Sequence, residues 1–83
     1  MEINKILSTY ITNEFVQDQP EKIAFNDDIL SSGIVDSIGM IRLVNFIEKE
    51  FGIEVLSEEM TFDNFKSIET ITDYIQQKIT QLI

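Results

Sequence analysis

The sequence predicts an all-α fold: a small four-helix bundle with a long loop between its first two helices and a short third helix. Three observations carry that expectation. Apolar residues recur at helical spacing in three long stretches. The alternating run Ile53-Glu54-Val55 is too short to stand as a strand and reads as an extended crossing. A chain of 83 residues has room for one domain, since ordinary domains need about fifty residues or more. Residues 1–83 are therefore read as a single domain.

In the first stretch Ile3, Ile6, Leu7, Tyr10, Ile11 and Phe15 share one face, while Glu2, Asn13 and Glu14 lie off it. This predicts a helix over residues 3–16. Pro20, within the polar run Gln17-Asp18-Gln19-Pro20-Glu21, marks where the chain leaves it. From there to Asp36 no period persists, yet Ile23, Phe25, Ile29, Leu30, Ile34 and Val35 are apolar. The segment is expected to cross the bundle and pin itself by these side chains. A loop of this length in a small domain points to function. Gly33 supplies a position able to take positive φ.

The second helix is expected over 37–51, with Met40, Leu43, Val44, Ile47 and Phe51 toward the core. Gly52 follows at the position favoured for a left-handed stop. Ser57-Glu58-Glu59 can form one short turn, and Thr61-Phe62-Asp63-Asn64-Phe65 another anchored by Phe62 and Phe65. Ser67 is placed to cap the last helix, in which Ile68, Ile71, Ile75 and Ile79 repeat near helical period. Glu69 sits favourably in its first turn. Leu82 and Ile83 are expected to fray.

Composition narrows the chemistry. Net charge is −9, which repels nucleic-acid phosphates and anionic lipid heads and favours partners with basic surfaces. Cysteine and histidine are both absent, removing disulfides, thiolate sites, the usual general base and the commonest transition-metal ligand. No apolar run reaches membrane-spanning length and no signal-peptide pattern opens the chain. A cytoplasmic, monomeric protein is expected, with no catalytic residue and no metal ligand set of its own. Asp27-Asp28-Ile29-Leu30-Ser31-Ser32-Gly33 does not fit a calcium-binding helix-loop-helix template, and its carboxylates read as capping groups.

The feature left over is Asp36-Ser37 at the start of the second helix. Asp36 suits the N-cap position, where its carboxylate accepts backbone N–H groups of the first turn. Ser37 then begins the helix with a hydroxyl that the helix does not need. Nothing nearby activates it as a nucleophile, and Gly33-Ile34-Val35-Asp36-Ser37 is not a G-x-S-x-G elbow. It can still accept a phosphate-linked group, because a helix N-terminus favours negative charge. The competing reading is that Ser37 is only a capping serine, a residue common at helix starts. Ile41, Asn45 and Glu48 lie one, two and three turns below Ser37, and Ile41 fits either the core or an exposed partner contact.

Here Asp36-Ser37-Ile38 resembles the Asp-Ser-Leu motif of acyl carrier proteins, in which the serine bears 4′-phosphopantetheine. Asp28-Ile29-Leu30 sits where carriers keep an acidic-apolar anchor. Phe46-Ile47-Glu48-Lys49-Glu50-Phe51-Gly52-Ile53-Glu54-Val55 looks like the exit of their second helix, and Ser67-Ile68-Glu69-Thr70-Ile71-Thr72-Asp73-Tyr74-Ile75 is similar to their final helix. The resemblance spans nearly the whole chain. It implies that a phosphopantetheinyl transferase, using magnesium, moves the arm from coenzyme A onto Ser37, with Asp36 as cap and motif residue. The arm's thiol then holds acyl or aminoacyl groups as thioesters. Ile38, Ile41, Arg42, Asn45 and Glu48 are the expected docking residues.

Departures from the family bear on pathway. Carriers of primary fatty acid synthesis usually present an acid-rich second helix, whereas the matching surface here holds Gly39, Arg42, Asn45 and Lys49 among Glu48 and Glu50. Arg42 would repel a basic docking patch. Asp36 also differs from peptidyl carriers, which more often place glycine and histidine before the serine. The Met60–Phe65 connection looks fuller than in the family. The expectation is a free-standing carrier of a specialised pathway, loaded by an adenylating ligase or acyltransferase and read by downstream synthases or transferases. The alternatives are a carrier of primary fatty acid synthesis and an unmodified acidic helical docking module.

Overall fold

The computed structural model describes residues 2–16 and 23–82. Among them the elements are α1 (Ile3–Phe15), α2 (Ser37–Phe51), a 3₁₀ turn (Ser57–Glu59), α3 (Phe62–Phe65) and α4 (Ile68–Leu82), with no strand. This is the expected helical bundle. The expected exit at Pro20 and the fraying of Ile83 lie outside the described residues, and Leu82 still belongs to α4.

Each long helix buries the stripe that its spacing predicts. Ile3, Leu7 and Ile11 of α1, Leu43, Val44 and Ile47 of α2, and Ile68, Ile71 and Ile75 of α4 are buried together with Phe65. Met40, Phe51 and Ile79 pack half-buried at the margin. Helix α1 lies against α4, as does α3. Tyr10 links α1 to α2 by stacking on Phe46 with ring centroids 3.9 Å apart, and its hydroxyl donates to the Arg42 carbonyl at 3.3 Å. Tyr74 joins the core although it lies outside the isoleucine series; its ring packs on Phe65 at 5.3 Å.

The loop ahead of α2 is held by burial and by backbone together. Ile23, Ile29 and Val35 are buried, and a fully buried Ile29 contributes about 1.5–3 kcal/mol. Its N–H also donates to the Lys66 carbonyl at 2.7 Å, while Glu69 N–H donates to the Phe25 carbonyl at 2.9 Å. Phe25 departs from expectation: its backbone pins the loop, but its ring is 42% exposed. Phe62 departs likewise. Phe65 alone anchors α3 in the core, and Phe62 at the first position of the helix stays 48% exposed.

Two glycines take the left-handed conformation expected of them. Gly33 has φ 83° and Gly52 has φ 66°, the latter closing α2 with its N–H on the Glu48 carbonyl at 3.0 Å. Gly39 is a correction. It is buried instead of forming part of the outer surface, because α1 approaches it so closely that an added Cβ would stand 2.7 Å from the Phe15 ring. Helix ends are capped from within the chain. Thr61 Oγ1 accepts from Asn64 N–H at 3.3 Å, and Ser67 Oγ accepts from Thr70 N–H at 3.2 Å while Thr70 Oγ1 accepts from Ser67 N–H at 3.2 Å.

Candidate functional site

The loop delivers its last residues to the start of α2 in a fixed order. Asp28 Oδ1 accepts from Leu30 N–H at 3.1 Å and Ser31 N–H at 2.8 Å, and Asp27 Oδ2 accepts from Ala24 N–H at 2.8 Å. Both carboxylates therefore organise the loop. The Ser31 N–H, ahead of other influences, holds the Asp28 carboxyl below its ordinary pKa. Val35 N–H then donates to the Ile29 carbonyl at 2.9 Å, closing the loop one residue before Asp36.

Asp36 caps α2. Its Oδ1 accepts from Gly39 N–H at 2.7 Å, and its carbonyl accepts from Met40 N–H at 2.8 Å. An N-cap of this kind contributes about 1 kcal/mol. With the cap supplied by Asp36, the Ser37 side chain has no structural duty: Ser37 is exposed, and no hydrogen bond among the described residues holds its hydroxyl. That oxygen stands over the first turn of a 15-residue helix, where the aligned peptide dipoles favour an anion.

Beside Ser37 runs an open groove of about 550 Å³ lined by Leu30, Gly33, Val35, Met40, Ile41 and Met60 in addition to Asp36 and Ser37. Its walls are mostly apolar and come from the loop, α2 and the approach to α3. Ile38 and Ile41 stand clear of the core at 66% and 58% exposed, which resolves the two readings of Ile41 in favour of the surface. Arg42 and Asn45 are exposed on the next turns. Glu48 is half-buried, with Oε2 accepting from Val55 N–H at 2.9 Å, so this carboxylate also anchors the chain beyond Gly52.

Sequence reasoning missed the support under the groove. Glu59 accepts from Leu56 N–H at 3.1 Å, from the Tyr74 hydroxyl at 2.8 Å and from Lys78 Nζ at 3.0 Å. The Leu56 N–H and then the Tyr74 hydroxyl hold the Glu59 carboxyl below its ordinary pKa. Burial, and then Glu59, push the Tyr74 phenol up. The network fixes the residue before Met60 onto α4. Tyr74 and Lys78 are four residues apart and share a helix face, a signal visible in the sequence; the arrival of Glu59 from fifteen residues upstream of Tyr74 was not.

These features fit a pantetheine phosphodiester well. An unengaged hydroxyl meets an anion-favouring helix end, and the adjoining groove is open and apolar. The phosphopantetheine attachment site family matches residues 11–75, more than half of the chain. The acyl carrier protein of Thermosynechococcus vestitus is 28% identical over 60 residues, covering 72% of this chain and 72% of that protein. Fold and site together define a carrier domain, the class of helical bundle that bears its reactive group on a covalent arm. The chain belongs to the acyl carrier protein family, whose cofactor is covalently attached 4′-phosphopantetheine.

Proposed function

We propose that Ser37 is the attachment point of the arm and that the protein carries acyl or aminoacyl groups for a specialised biosynthetic pathway, catalysing no step itself. The observation that carries this reading is the division of labour at the start of α2: Asp36 makes the cap hydrogen bond, and the exposed Ser37 hydroxyl is left without one. Ser37 Oγ forms the new bond to phosphorus as the pyrophosphate link of coenzyme A breaks. Adenosine 3′,5′-bisphosphate departs, and the serine proton passes to the transferase. The bound arm supplies a thiol, which a chain without cysteine lacks.

The chain's own residues orient that arm. The first turn of α2 faces the phosphodiester with its N–H groups, Asp36 keeps that turn in register, and the groove along Met40, Ile41 and Met60 receives apolar parts of arm or cargo. Ile38, Ile41, Arg42 and Asn45 form the face read by partner enzymes, with Glu48 shaping its lower edge. The partners are a phosphopantetheinyl transferase, an adenylating ligase or acyltransferase, and downstream synthases or transferases. Arg42 on this face favours a dedicated pathway over enzymes whose docking patches are basic. No helix among the described residues is long and apolar enough to cross a membrane, in keeping with action in the cytoplasm.

Incubation with coenzyme A, magnesium and a broad-specificity transferase tests the reading. One phosphopantetheine per chain is expected by intact mass, and none for Ser37→Ala. Modification of Ser37→Ala to the same extent would overturn it.

A further inference from the structure

Helix α2 has two cations, Arg42 and Lys49, and two acids, Glu48 and Glu50, and only the cations stand on its most exposed ridge. Ile38, Arg42, Asn45 and Lys49 follow one another at i, i+4, i+7 and i+11, forming a single ridge that descends from beside Ser37, and all four are exposed. Seven residues separate the two cations, which sets them about 10 Å apart along the axis. Neither is neutralised by an ion pair among the described residues, where Lys78 pairs with Glu59.

Of the nearby acids, Glu48 lines the same groove as Arg42, Asn45 and Lys49 but is half-buried. Glu48 gives one oxygen to Val55 N–H. Glu50 lies on the opposite flank, in a groove shared with Lys5, Ile6 and Tyr10. Glu14 of α1 lies near enough to act on Tyr10, as Arg42 does with opposite sign, and forms no ion pair with Arg42 among the described residues. A locally cationic ridge therefore interrupts a chain of net charge −9.

We propose that this ridge docks an enzyme whose contact surface is acidic: an apolar recess for Ile38 and Ile41, with carboxylates spaced to face Arg42 and Lys49. The inference rests on the carrier reading and names the charge of the partner. A basic partner surface is attracted to most of this molecule and gains little orientation from α2. An acidic one is repelled by the net charge of the molecule and attracted along the ridge, so its charge fixes register beside Ser37 more than it adds affinity. Screening within about 8 Å at physiological salt confines that selection to close approach.

A pair of synthetic amphipathic helices tests it. Each carries one apolar stripe, flanked in one peptide by glutamates seven residues apart and in the other by lysines at the same positions. Titrated into ¹⁵N-labelled protein, the glutamate peptide is expected to shift the backbone amides of residues 38–49. The double variant Arg42→Glu/Lys49→Glu weakens its binding about tenfold, with Arg42→Gln/Lys49→Gln in between and far-UV circular dichroism unchanged in both. Amides that do not respond to the glutamate peptide, or a lysine peptide that occupies the ridge, overturn the proposal. Peptide binding needs no arm: a ridge that fails while Ser37 accepts pantetheine removes this inference alone, whereas a Ser37 that refuses pantetheine removes the carrier reading.

Discussion

Asp36 and Gly39 act as a pair at the start of α2. The carboxylate of the first accepts the N–H of the second at 2.7 Å, and the missing side chain of the second admits the Phe15 ring. A Cβ at Gly39 would meet Phe15 at 2.7 Å and Asp36 Oδ1 at 3.1 Å, so ring and cap must both move. Alanine in a helix interior gains about 1 kcal/mol over glycine, while overpacking costs about 1–3 kcal/mol and a disturbed cap about 1 kcal/mol more. The costs win. Gly39→Ala is expected to lower stability by about 1–3 kcal/mol in urea denaturation, summing those effects. In a Phe15→Ala background the same change becomes neutral or stabilising, because the ring is gone. An equal loss in both backgrounds would contradict the close-approach account.

At the scale of elements, the 3₁₀ turn and α3 are too short to hold themselves, and Glu59 ties them to α4. Its folded-state pKa is depressed, so the stability it contributes is complete above the ordinary glutamate value near 4.5 and is lost as pH falls below it through the folded pKa. Asp28, lowered by loop N–H groups, adds a loss of the same sign in the acid range. Glu59→Gln is therefore expected to be less stable than the parent at pH 7 and to lose less stability between pH 4.5 and 3, measured as urea midpoints. Parallel pH curves for parent and variant would show that the carboxylate charge plays no part. Lys78→Met should weaken the same tie at neutral pH while leaving Leu56 N–H and the Tyr74 hydroxyl on Glu59, so its effect is the smaller of the two.

Over the whole molecule, local pattern carried most of the fold. The isoleucine and leucine stripes of α1, α2 and α4 were visible as spacing, and Asp36, Gly52, Thr61 and Ser67 mark helix boundaries by their own chemistry. What local pattern did not carry is contact between distant residues. Which ring of α3 turns inward, the burial of Gly39 under Phe15, and the bonds that Tyr74 and Lys78 donate to Glu59 depend on elements that meet only after folding. The candidate site divides the same way. Asp36-Ser37 was legible because cap and idle hydroxyl are a local matter, whereas Met60 enters the groove from the far side of the chain. The surface charge follows from both levels: sequence sets the −9, and the fold decides that Arg42 and Lys49 share one ridge.

The central claim is that the Ser37 hydroxyl bears the arm, and protein isolated from its native host tests it most directly. Intact mass followed by fragmentation of the peptide containing residues 37–42 should place a phosphopantetheine on Ser37, with any additional mass on its thiol identifying the cargo class. An unmodified Ser37, or an arm located on any other hydroxyl, would contradict the account.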